Sequence, residues 1–130
     1  MCEALVRELG GPEVLVPAER PDPVAGSDEV VIDVSDVDTL FVETQIRSGA
    51  FRNHFPVVPP YVPGGGIAGT VRTVSEGVDA RWTGPLAEAA AGRLRPVIGQ
   101  VYPLEQAAQV HAAIEGRGLL DKVLLSTRKA

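Results

Sequence analysis

Proline and glycine constrain the fold of this chain more than any other residues. Eleven prolines and fourteen glycines occur among 130 residues, and four of the prolines fall within residues 50–63. Proline interrupts helices and the interior of sheets, and glycine favours turns. The pattern excludes a helical bundle and predicts a β-rich fold of short strands joined by turns.

Apolar and β-branched segments between these turns predict the strands. Residues 4–7 and 14–16 flank the turn Gly10-Gly11-Pro12 and predict an opening hairpin. Further strands are expected at residues 29–34, 67–74, 97–102 and 122–126. In the strand over 67–74, Gly69 is expected to allow another backbone to approach closely.

Three short helices are expected. The first spans residues 39–47, with Asp38 or Thr39 capping its N-terminus and Gly49 ending it. An alanine-rich segment over 86–91 predicts a second helix, and residues 104–115, between a proline and a glycine, predict a third. The proline-rich segment 50–63 is expected to be a packed loop that borders a cavity.

Composition excludes several functional classes. A hydrophobic content of 45% and a charged content of 22% are typical of a globular protein of one domain, and a net charge of −5 disfavours nucleic-acid binding. The single Cys2 cannot form an internal disulfide. The first residues carry charges that argue against a signal peptide or a membrane span. We therefore expect a cytoplasmic protein with no membrane partner.

Three stretches resemble one family. TQIRSGAFRNHFPVVPPYVPGGGIAGTVRTVSEGVD, over residues 44–79, resembles the substrate domain of zinc-independent, quinone oxidoreductase-like medium-chain dehydrogenases/reductases. GGPEVL and PDPVAGSDEVVIDV, earlier in the chain, are similar to that domain's opening hairpin and strand, and residues 86–125 are similar to the segment that returns to it. The resemblance implies a β-rich α+β fold, a GroES-like partly open β-barrel with a few short helices.

The same resemblance implies one domain over residues 1–130, built from an N-terminal segment, residues 1–84, and a returning segment, residues 85–130. Members of the family insert a Rossmann domain for the cofactor between these segments, whereas here the two segments meet at Thr83-Gly84-Pro85. We therefore expect no Rossmann domain, no bound cofactor and no hydride transfer by this chain alone. The cluster Gly64-Gly65-Gly66 precedes a strand and is interpreted as a turn rather than a phosphate loop.

Zinc is also not expected. Zinc-dependent relatives carry a cysteine before the first helix and Gly-His-Glu after the proline loop. Here Asp36-Val37-Asp38 and Gly64-Gly65-Gly66 stand in those places, and the two histidines are not spaced as ligands. The family's asparagine and aspartate at the start of the helix are replaced by Leu40 and Glu43, which weakens the transfer of its carbonyl-binding pattern.

Candidate site residues come from the predicted helix and loop. Asp38, His54 and Tyr61 are candidate acid, base or hydrogen-bonding groups, and the candidate substrate-binding residues are Leu40, Phe41, Thr44, Arg47 and Phe55. Each has a plainer interpretation. Asp36 and Asp38 can be explained by helix capping or by a solvated turn. Arg47 can form an ion pair with Glu43, and His54 can be an exposed residue of the loop. His111 is expected to be only a packed or surface residue.

Three functional hypotheses remain open. The chain binds a small apolar carbonyl or quinone-like compound without reducing it, as a monomer or weak homodimer. Alternatively, it is a cofactor-independent isomerase, cyclase or dehydratase that uses Asp38, His54 and Tyr61. A third possibility is an interaction module or an engineered domain deletion, whose surface meets another copy or faces solvent.

Overall fold

The computed structural model describes residues 1–78, 98–119 and 122–127. The expected helix over 86–91 and the junction at Thr83-Gly84-Pro85 lie outside these residues. The described elements form a β-rich α+β arrangement of two small sheets and a few short helices, as the sequence predicted.

The chain opens with the predicted hairpin. β1 (Cys2–Val6) pairs antiparallel with β2 (Leu15–Glu19), and a 3₁₀ turn, Pro12–Val14, connects them. Val6 also exchanges two backbone hydrogen bonds with Tyr61, of 2.9 and 3.1 Å. The irregular proline loop is therefore fixed to the first strand of the hairpin.

The second sheet has four strands in the order β4-β3-β6-β5. They are β3 (Val30–Thr39), β4 (Ile67–Val74), β5 (Ile98–Pro103) and β6 (Lys122–Ser126). β3 pairs antiparallel with β4 and β6, and β5 pairs parallel with β6. The predicted bounds of β4 and β6 are confirmed, whereas β3 continues beyond the predicted end at Val34.

The extension of β3 corrects the predicted capping at the first helix. Asp36 and Asp38 lie inside the strand, opposite Ser126 and Leu124 of β6, and not in a turn. α1 (Phe41–Ser48) begins after Leu40. Cross-strand hydrogen bonding along β6 therefore overrides the local capping preference of the aspartates.

Two glycines behave as predicted. Gly49 ends α1 in the left-handed conformation, with a φ of 84°. Gly69 of β4 faces β3 so closely that a Cβ there would lie 2.8 Å from the carbonyl carbon of Asp33. A side chain at position 69 would therefore push the two strands apart.

The second described α-helix, α2 (Ala107–Glu115), follows a short 3₁₀ turn, Leu104–Gln106. It packs between the hairpin and the larger sheet. The buried core consists of Ala4, Val6, Leu15, Leu104, Ala107, Val110, Val123 and Leu125. α2 therefore joins the two sheets into one core, and a cavity lies next to that core.

Candidate ligand-binding site

A cavity of about 480 Å³ lies between the hairpin, β3, the end of the proline loop and α2. Its apolar wall includes Ala4, Leu15, Val31, Val37, Leu104 and Leu125. Val62, Pro63 and Gly64 contribute the end of the loop, so the loop borders a cavity, as the sequence predicted. The dimensions and apolar wall are typical of a site for a small organic molecule.

Glu43 is an acidic group in the wall of this cavity. It lies in the first turn of α1, where its carboxylate accepts hydrogen bonds of 3.0 Å from the backbone N–H groups of Leu40 and Gly65. Burial raises the pKa of Glu43, and the two backbone donors partly offset this effect. Glu43 thus caps the helix that the aspartates were expected to cap, and it ties the helix to the glycine turn.

Arg47 is fully buried, and its partners differ from the predicted one. The interpretation of an ion pair with Glu43 is wrong, because the guanidinium instead donates to the Gly10 carbonyl, to Glu115 and to His111. The distance from Arg47 Nε to His111 Nδ1 is 3.2 Å. Helix α2 therefore supplies two of the partners, and the turn of the hairpin supplies the third.

His111 of α2 is packed, as expected, and it also reaches the cavity. Its exposed fraction is 2%, and it forms part of the cavity wall. Burial, together with the neighbouring charge of Arg47, lowers the pKa of His111 to about 4. The ring is therefore neutral at pH 7.

Asp38 lies between the cavity and a second cleft. Its Oδ2 accepts a hydrogen bond of 2.6 Å from Lys122 Nζ, while its buried Oδ1 has no hydrogen-bond partner among the described residues. Leu40 and Phe41, which are both partly exposed, line the second cleft beside Asp38. The structure thus brings these three candidate residues together, but Leu40 and Phe41 are not among the described residues that line the larger cavity.

Two further candidates, the half-buried Tyr61 and the buried Thr44, lie outside the described wall of the larger cavity. The Tyr61 hydroxyl has no hydrogen-bond partner in the described part of the chain, and burial raises the pKa of Tyr61. Thr44 is fully buried and its hydroxyl donates to the carbonyl of Phe41, at 2.7 Å. Thr44 therefore stabilises the first turn of α1.

His54 and Phe55 lie in the exposed part of the proline loop, with the rings of both near Phe51. Neither is among the described residues of the cavity wall. Asp38, His54 and Tyr61 are thus placed in three different surroundings. The arrangement does not assemble them as one acid–base group.

Three charged side chains form an ionic cluster at another part of the cavity wall. Arg72 of β4 pairs with Asp22, at 3.0 Å, and with Asp33 of β3. The contact with Arg72 lowers the pKa of Asp22. The charges at this side of the cavity are therefore paired with one another.

The described ranges contain no cluster of three or more His, Cys, Asp or Glu side chains that could hold a metal ion. Within the same ranges, no helix has the length and apolar composition needed to span a membrane.

Known proteins resemble part of this chain in sequence and in structure. No protein-family model matches the chain. Rat quinone oxidoreductase is 41% identical over 76 residues, which are 58% of this chain and 22% of that protein. A mycobacterial quinone oxidoreductase structure has a TM-score of 0.52 and 36% identity, covering 62% of this chain and 23% of the other. Over the matched residues, the chain is therefore similar to quinone oxidoreductases.

A structure of an NAD-dependent alcohol dehydrogenase matches the chain with a TM-score of 0.55 and 30% identity. It covers 62% of this chain and 23% of the dehydrogenase. The neighbours are thus medium-chain dehydrogenases/reductases, which confirms the resemblance found in the sequence. The chain spans less than a quarter of the length of these relatives.

Sequence reasoning missed two residues of the site. Glu43 was noted as a departure from the family pattern and as an ion-pair partner of Arg47, although a glutamate at the third position of a helix is a recognised capping signal. His111 was set aside because its helix is rich in alanine. Its partner Arg47 lies 64 residues earlier, so no local pattern marks it.

Proposed function

We propose that this chain binds a small apolar carbonyl or quinone-like compound in the 480 Å³ cavity and does not transfer hydride on its own. The observation that carries the proposal is the cavity itself, because its wall is mainly apolar with a few polar groups. Binding sites for small organic molecules typically enclose about 300–1,000 Å³ with this kind of lining.

The charges around the cavity favour an uncharged ligand. Glu43 is held by backbone N–H groups, Asp38 by Lys122, and the Arg72 guanidinium by two aspartates. No cation in the described wall is left without a partner, so a bound anion would gain little electrostatic stabilisation. The carboxylate of Glu43 would also repel it. A compact carbonyl compound fits these surroundings better.

The relatives support the choice of ligand class, because two of them are quinone oxidoreductases. We also propose that the fold is a GroES-like partly open barrel, formed by an N-terminal segment, residues 1–84, and a returning segment, residues 85–130. The family-like stretches adjoin at Thr83-Gly84-Pro85, which supports a missing Rossmann domain between them. Without such a domain the chain lacks the usual dinucleotide site.

The binding proposal is tested with 1-tetralone, an apolar ketone without an electrophilic carbon–carbon double bond, so that the thiol of Cys2 does not interfere. Val34 of β3 is half-buried and lines the cavity. Val34→Trp is expected to weaken 1-tetralone binding at least about tenfold in calorimetry, since the indole occupies the cavity. Val101→Trp is the matched control, because Val101 is exposed and lies on another strand of the same sheet.

Failure of the unaltered chain to bind 1-tetralone or duroquinone would overturn the proposal. Equal weakening in the two tryptophan variants would place the binding site elsewhere and would also overturn it. The absence of hydride transfer is tested separately, by calorimetry with NADPH and by NADPH oxidation with duroquinone. We expect no heat of binding and no oxidation, and a positive result in either assay contradicts that aspect of the proposal.

A further inference from the structure

The buried contact between Arg47 and His111 fixes the position of a proton. A guanidinium group has only donors, so its Nε–H requires a lone pair on the atom that it faces. That atom is Nδ1 of His111, at 3.2 Å. In a neutral imidazole one nitrogen is an acceptor and the other carries the proton. The proton of His111 therefore resides on Nε2.

The rest of the Arg47 environment keeps this arrangement in place. Its other nitrogens donate to the Gly10 carbonyl and to Glu115, so the guanidinium plane is held by three groups. Arg47 and His111 are both almost completely buried. A ring held in this way presents the same edge to the cavity continuously.

Among the described residues, His111 has a hydrogen-bond partner at Nδ1, which is Arg47, and none accepts from its Nε2–H. The ring is part of the cavity wall, whereas Arg47, which faces Nδ1, is not among the described wall residues. The nitrogen edge opposite Arg47 is thus the one available to the cavity. A hydrogen bond from this N–H to an acceptor on a bound ligand contributes to the binding free energy.

We propose that Nε2–H of His111 donates the hydrogen bond that holds the carbonyl oxygen of a ligand in the cavity. This inference rests on the proposed function and adds a specificity rule to it. Uncharged acceptors with an apolar body, such as ketones and quinones, bind better than hydrocarbons of the same shape. The nearby Glu43 carboxylate disfavours carboxylates, even though they are acceptors as well.

The test compares 1-tetralone with tetralin, which has the same ring skeleton without the carbonyl oxygen. The unaltered chain is expected to prefer 1-tetralone by about five- to tenfold, the usual contribution of one hydrogen bond. His111→Asn keeps an acceptor near the position of Nδ1 for Arg47 but places no donor at Nε2. In this variant the preference for 1-tetralone over tetralin is expected to fall to about onefold.

His111→Gln is the matched variant, because its amide N–H group reaches the position of Nε2. It is expected to keep most of the preference for 1-tetralone. If His111→Asn still binds 1-tetralone with the full preference over tetralin, the inference is overturned and the proposed function stands. If the unaltered chain binds neither compound, both are overturned.

The tautomer can be measured without any substitution. Nitrogen-15 NMR at pH 7 is expected to show His111 protonated at Nε2 and unprotonated at Nδ1, with the Nε2 proton shifting downfield when 1-tetralone is added. A ring protonated at Nδ1, or a resonance that does not respond to bound 1-tetralone, would contradict the inference.

Discussion

Acidification is expected to destabilise this chain through His111. The pKa of His111 is lowered from 6.5 to about 4 in the folded chain, mainly by burial. Between these values the unfolded chain takes up a proton that the folded chain does not, so protonation favours unfolding. Because one pKa unit corresponds to about 1.4 kcal/mol, the contribution is about 3 kcal/mol. It is present above pH 6.5 and is lost as the pH falls to about 4.

The assay is urea unfolding followed by circular dichroism at several pH values between about 7.5 and 4. Arg47 and Glu115 are the charged groups around the ring, and both are retained in His111→Asn. Glu43, whose raised pKa acts in the opposite direction and favours the folded chain at lower pH, is retained as well. Its effect cancels when the variant and the unaltered chain are compared.

The expected result is that the unaltered chain loses about 3 kcal/mol more than His111→Asn over this pH range. His54→Asn serves as the control, since His54 is exposed, and it should reproduce the unaltered pH dependence. Identical pH profiles for the unaltered chain and His111→Asn would refute the reasoning, because they would mean that the ring is not held neutral by burial.

Two further substitutions test contacts of the fold. Arg47→Met removes a fully buried cation with three acceptors and should lower the free energy of unfolding by about 3 kcal/mol; the exposed Arg52→Met should change it little, and equal effects in urea unfolding would argue against the buried network. Gly69→Ala puts a methyl group against the Asp33 carbonyl and should cost about 1–3 kcal/mol. A melting temperature unchanged by the alanine would contradict that close approach.

Much of the fold follows from local sequence. The hairpin, β4 and β6 were predicted because alternating β-branched residues and glycine-rich turns act over a few residues. Gly49 was predicted for the same reason, since few residues tolerate its left-handed backbone. Elements of this kind depend little on distant regions of the chain.

The end of β3 could not be predicted in this way. Asp36 and Asp38 are poor strand residues and good helix caps, so the local signal predicted a turn. Their places in the strand depend on β6, where Lys122 supplies a counter-charge to Asp38 from 84 positions away. A contact over such a separation leaves no pattern in the segment itself.

The candidate site depends even more on contacts between residues far apart in the sequence, and it was therefore harder to predict. Aromatic and polar residues of the loop drew attention to His54 and Phe55, but these side chains are exposed. Two of the polar groups that line the cavity, Glu43 and His111, have plain local interpretations as a helix cap and a packed residue. His111 is distinguished by its neutral ring, which is oriented by an arginine that is distant in the sequence but in direct contact with it.

The position of β6 between β3 and β5 has a consequence for biosynthesis. The N-terminal strands cannot complete the larger sheet until residues 122–126 have left the ribosome, because β6 supplies the hydrogen bonds along one edge of β3. Until then β3 presents an open strand edge that can pair with other chains. Completion of the larger sheet therefore waits for the synthesis of β6, and a nascent chain that pauses before β6 exposes a strand edge that favours aggregation.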